Sequence, residues 1–165
     1  ENRVSVRQEP PGNSLSWRVE PLADRTVPLE RWGILNSRQT VGAIQRFVSA
    51  AGGPLSIGRQ HYDNGLGAHA TSFLELPLDG QFSKFSVTVG IDGGTEGRGS
   101  VIFRLFVDGK ESATSGVMNG YTAAKVLEVD KLAGARRLIL SVQDAGDGHR
   151  QDLANWINGT FELAP

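Results

Sequence analysis

The chain has 165 residues, 21 glycines, 7 prolines, no cysteine and a formal charge of -1 at pH 7, which suits one folded domain around a single core. With 17 Lys and Arg against 18 Asp and Glu, no basic field exists to hold a phosphate backbone, so nucleic acid is not an expected partner. No stretch reaches the roughly 18 apolar residues of a membrane span, so no membrane insertion is expected, and the lack of cysteine removes disulfides and thiolate sites.

Residues 1–13 contain Pro10-Pro11-Gly12 and little apolar content, as in a linker or lead-in arm. The expected organisation is an N-terminal arm over 1–28, with room for a first strand, followed by the folded domain over 29–165. Val41, Ile44 and Val48 recur at helical steps, and one short helix is expected within Thr40 to Ala51. Gly65-Leu66-Gly67-Ala68-His69-Ala70 matches the looser dinucleotide fingerprint. That fingerprint needs a strand before it and a helix after it, so a tight loop entering a strand is expected instead.

Beyond this point a period of two takes over. Leu74, Leu76 and Leu78 alternate with Glu75 and Pro77, then Phe85, Val87, Val89 and Ile91 with Ser86, Thr88 and Gly90. Val101, Phe103, Leu105 and Val107 repeat the pattern, and strand-like stretches follow at 124–129 and across Leu138, Leu140 and Val142. Asp79-Gly80, Asp92-Gly93-Gly94, Asp108-Gly109, Asn119-Gly120 and Asp147-Gly148 supply turn signals between them. The predicted fold is therefore all-β, an antiparallel β-sandwich of the jelly-roll kind with at most one or two short helices.

Catalytic signatures are missing. The three histidines, His61, His69 and His149, form no metal-binding pair, and no G-x-S-x-G elbow or H-E-x-x-H motif occurs. Asp144-Ala145-Gly146-Asp147-Gly148 lacks the oxygen ligands of an EF-hand at its third and fifth positions, although another oxygen-rich calcium site is compatible with it. Polar residues instead gather where glycine-rich loops and strand ends are expected: His69, Asp92, Arg98, Asp144, Asp147, His149 and Asp152. Such loops on a rigid sandwich are where recognition usually lives. Trp17, Trp32 and Trp156 offer flat apolar faces for a sugar ring, with core packing as the competing role for each.

An ordered set of runs carries a resemblance. It comprises Gly53 to Gly58, Tyr62, Gly65 to Ser72, Val89 to Asp92, Gly97 to Phe103, Asp108-Gly109, Ser115 to Met118, Asp144 to Gly148, and Asp152 with Ala154 and Trp156. From about Trp32 to Phe161 the chain resembles the NPCBM family, also classed as carbohydrate-binding module family 51. The resemblance implies a galactose-binding-domain-like jelly roll with a sugar site in the loops at one end. It further implies attachment to a glycoside hydrolase catalytic domain, a secreted, periplasmic or cell-surface location, and a structural calcium (Ca2+).

On that basis the chain is expected to be a noncatalytic module that recognises galactose-containing or related glycans. His69 and Arg98 would donate to sugar hydroxyls and Asp144 or Asp147 accept from them, with His149 and Trp156 completing the ligand site. Asp92 and Asp152 would serve calcium or brace loops by hydrogen bonds. Gly93 stands where the family often has a second acid, Ala68 where it has threonine, and Leu153-Ala154-Asn155 where it has His-Ala-Asp. Each change removes a potential ligand, which keeps a structural or protein-interaction sandwich as the alternative.

Overall fold

The structure, a computed structural model, describes residues 25–148 and 150–165. Among the described residues thirteen strands run in chain order. They are β1 (Thr26–Pro28), β2 (Asn36–Gln39), β3 (Gln45–Arg46), β4 (Leu55–Ile57), β5 (Gln60–Tyr62), β6 (Gly65–His69) and β7 (Ser72–Pro77), then β8 (Phe82–Ile91), β9 (Ser100–Val107), β10 (Lys110–Asn119), β11 (Lys125–Val129), β12 (Arg137–Asp144) and β13 (Leu153–Leu163). Two single 3-10 turns, Leu29–Arg31 and Gly93–Thr95, are the helical segments among the described residues.

One sheet has the order β11-β8-β13-β6-β3, with β1 also on β13, and the other β10-β9-β12-β7-β2. Every pairing in them is antiparallel. The alternation seen in the sequence becomes the space between the sheets. Val87, Val89 and Ile91 face Leu74, Leu76, Phe103, Leu105, Leu138 and Leu140 within one buried cluster. Burial of such side chains contributes roughly 1.5–3 kcal/mol each. At one end of the core Trp32 meets Phe82 edge-on at 4.8 Å, and Phe161 stacks against Phe82 and Phe85 at 4.7 and 4.6 Å.

The Asp-Gly signals at 79–80 and 108–109 do the work expected of them. Asp108 and Gly109 both have positive φ, 49° and 82°, so β9 and β10 are joined by a two-residue turn whose twist matches the strands.

Two expectations are corrected. The segment from Thr40 to Ala51 is not helical: it holds β3 and turns. Gly42 and Phe47 take φ of 68° and 66°, Val41 is exposed, and the Phe47 amide donates to Gly65 O, so β6 draws the chain into pairing instead. The run from Gly65 is a strand rather than a loop entering one. Its glycines admit close packing: a Cβ on Gly67 would stand 2.3 Å from Val48 O and 2.5 Å from Ala50 N. The arm expected over 1–28 falls partly outside the described residues, while Thr26–Pro28 pair with Thr160–Glu162 and so belong to the domain.

Candidate functional site

At one end of the sandwich the strands deliver polar residues to a common rim. β6 ends at His69, β12 ends at Asp144, β9 begins at Ser100 and β13 follows Asp152. Antiparallel pairing sets these ends side by side, with Leu153 opposite His69 and Asp144 opposite Val101. Ser100 ties the rim together: its amide donates to Asp152 Oδ1 at 2.9 Å and its hydroxyl to Asp147 Oδ2 at 2.7 Å. Gly99 makes this possible, because a Cβ there would lie 2.4 Å from Gln151 O.

Asp152 lies beneath the rim, almost without exposure, and its Oδ2 has no hydrogen-bond partner among the described residues. Burial holds its carboxyl above the usual carboxylate range. The Ser100 amide and His69 pull it down, and Asp147 and Asp144 push it up. His69, Asp144 and Asp147 are thus each within electrostatic reach of Asp152. The His69 amide donates to Gln39 Oε1, and its Nδ1 lies 2.6 Å from Ala70 O. A carbonyl only accepts, so Nδ1 carries the proton in that contact. Arg98 stands at the edge of the rim with its guanidinium 3.4 Å from Glu96, an exposed pair of little energetic weight.

Asp92 plays a different part. It is buried, its Oδ1 accepts from the Gly94 amide at 2.8 Å and its Oδ2 from Asn155 Nδ2 at 2.7 Å. Asn155 Nδ2 also donates to Ser56 O at 2.7 Å, so β13, β4 and the turn after β8 are pinned together below the surface. Asp92 therefore braces its turn against the neighbouring strands, whereas Asp152 keeps one oxygen without a hydrogen-bond partner among the described residues.

Trp156 is corrected as a ligand residue. It is 2% exposed and meets Phe103 edge-on at 5.0 Å, bridging the sheets. Trp32 packs half-buried against the core, its indole N–H donating to Pro77 O, while Trp17 and His149 lie outside the described residues. The aromatic side chain that does stand out at this end is Tyr121, 86% exposed in the connection from β10 to β11. Its sequence signal is slight, an aromatic directly after the Asn119-Gly120 turn.

These features define a β-sandwich recognition module with a polar loop rim at one end. Residues 25–162 match the model of the NPCBM/NEW2 domain, and the chain belongs to this family of carbohydrate-binding modules. A Renibacterium salmoninarum protein named for endo-alpha-N-acetylgalactosaminidase activity is 33% identical over 135 residues, covering 82% of this chain and 9% of that protein. The chain therefore spans under a tenth of that relative's length. Among solved structures, the CBM51-2 and INT domains of Clostridium perfringens ZmpB with GlcNAc give a TM-score of 0.80 at 26% identity, covering 86% of this chain and 32% of that one. The CBM51 of Clostridium perfringens GH95 with methyl-galactose gives 0.77 at 28% identity, covering 82% of this chain and 99% of that one.

Proposed function

We propose that the rim binds a terminal galactose-configured sugar of a glycan without acting on it, and so holds an attached glycoside hydrolase at its substrate outside the cell. The observation that carries this reading is the convergence of His69, Asp144 and Asp147 around Ser100 and Asp152. The similar module bound to methyl-galactose supports the choice of sugar. Vicinal hydroxyls need acceptors and donors in close array. Asp147 and Asp144 accept from them and Arg98 donates, while His69, with its proton on Nδ1 toward Ala70 O, meets a hydroxyl as an acceptor through Nε2 rather than as the donor the sequence suggested. The tether then raises the local concentration of enzyme without any new contact. A calcium ion in this reading would draw on Asp152 Oδ2, which has no hydrogen-bond partner among the described residues.

Titration of methyl-galactoside and of GlcNAc into the module, with wild type and His69→Ala, tests it. Saturable binding of the galactoside, stronger than that of GlcNAc and lost in His69→Ala with folding intact, is expected. No binding of either sugar sinks the proposal and favours an interaction sandwich, and preference for GlcNAc overturns the choice of sugar.

A further inference from the structure

Tyr121 is the most exposed large hydrophobic residue described, yet it is held in a built seat. Its amide donates to Asn119 Oδ1 at 2.9 Å, the Asn119 amide donates to Thr122 Oγ1 at 2.9 Å, and the Thr122 amide donates back to Asn119 O at 3.0 Å. The turn therefore has a fixed conformation. Two glycines then dock it on the Arg98 loop. A Cβ on Gly97 would stand 2.4 Å from Tyr121 Cζ and 2.5 Å from its Oη, and a Cβ on Gly120 would stand 2.4 Å from the Gly97 backbone. The phenol end of the ring rests on Gly97, and Arg98 is the next residue.

The topology fixes where this seat lies. Strand ends of one sheet follow in order along the rim: Asn119 of β10 is opposite Ser100 of β9, and Asp144 of β12 is opposite Val101. With neighbouring strands about 4.8 Å apart, the tyrosine turn lies about 10 Å from the end of β12. That is farther than one hexose ring reaches, and near enough for the next ring of the same chain. An aromatic ring with one apolar face and a polar tip suits the C–H face of a sugar. Of the two tryptophans described, Trp156 is in the core and Trp32 is half-buried against it, so among the described residues this rim has Tyr121 as its exposed ring.

We infer that Tyr121 forms a second subsite, on which the penultimate sugar of the glycan lays its apolar face while the terminal sugar occupies the His69 and Asp147 group. The inference rests on the proposed sugar-binding rim. It makes the ligand at least a disaccharide and gives Tyr121 a role in selecting the linkage, since only some linkages turn the C–H face of the second ring toward it.

Calorimetric titration tests this with methyl-galactoside, lactose and galactosyl-α-1,3-galactose against wild type, Tyr121→Phe and Tyr121→Ala. The wild type should bind one of the disaccharides about tenfold more tightly than methyl-galactoside, the scale of one aromatic contact. Tyr121→Ala should lose that advantage while its affinity for methyl-galactoside stays within about twofold, and Tyr121→Phe should keep it. Equal wild-type affinity for the monosaccharide and both disaccharides overturns the subsite while leaving the rim intact. So does a Tyr121→Ala variant that keeps the advantage, or that weakens all three sugars equally. Absence of binding to every sugar overturns the subsite and the rim together.

Discussion

Replacing Asn155 by aspartate isolates the buried brace beneath the rim. Asn155 is fully buried, and its Nδ2 donates to Asp92 Oδ2 and to Ser56 O, both at 2.7 Å. The substitution is nearly isosteric, so packing is kept and two donated hydrogen bonds are lost, one of them to a carboxylate. Those losses amount to about 3 kcal/mol. The new carboxylate also faces Asp92, and two unit charges about 3 Å apart repel by about 5 kcal/mol at an effective dielectric constant near 20. The pair avoids most of this by retaining a proton, which raises its upper folded-state pKa above the unfolded value. A raised folded-state pKa contributes stability that is present below the unfolded pKa and lost as pH rises through the folded one. Asn155→Asp should therefore be destabilised by about 3 kcal/mol near pH 4 and by clearly more at pH 8. Urea unfolding at both pH values, read by tryptophan fluorescence, measures this. A loss below about 1 kcal/mol, or one that does not grow with pH, refutes the brace.

Three further outcomes are expected. Gly67→Ala, whose Cβ would meet the backbone of Val48, Ser49 and Ala50 within 2.5 Å, should destabilise the domain by about 2–3 kcal/mol in urea unfolding; a near-neutral result contradicts the close approach. Glu30 is buried, its Oε1 has no hydrogen-bond partner among the described residues, and burial holds its carboxyl above the usual range, so its contribution to stability is lost as pH rises. Glu30→Gln should thus gain stability over wild type at pH 7 but not at pH 3.5, and a pH-independent difference in melting temperature would contradict this. If calcium sits at Asp152, excess calcium raises the melting temperature and EDTA lowers it, an effect lost in Asp152→Asn; identical curves with EDTA and with calcium remove the metal.

Strands buried on one face were legible in the sequence because their side chains obey a period of two, and β7, β8, β9, β11 and β12 fall where alternation put them. β10 was not, since its sequence is mostly polar and it lies at a sheet edge with bulges at Glu111 to Val117. β13 was hidden by Asn158-Gly159, where the register shifts and a Cβ at Gly159 would strike Leu29. The apolar spacing of Val41, Ile44 and Val48 suggested a helix because spacing alone carries no information about the neighbouring strand that competes for the backbone.

At the rim, His69, Asp144, Asp147 and Asp152 could be picked out because acids and histidines in or near glycine-rich stretches fall at loops and strand ends. The difference between Asp92 and Asp152 could not, because it depends on which donors reach each oxygen. Tyr121 was missed for a related reason: its seat is made by Gly97, 24 positions earlier in the chain.

β13 starts at the rim and runs the length of the sheet, and β1 pairs with its last residues, Thr26 opposite Glu162. Eleven residues of strand span about 35 Å. Polypeptide continuing from either side of the sandwich would thus leave from one spot, far from the rim. A neighbour joined at both ends would hold the module as a flag on a single pole, with the polar rim turned outward.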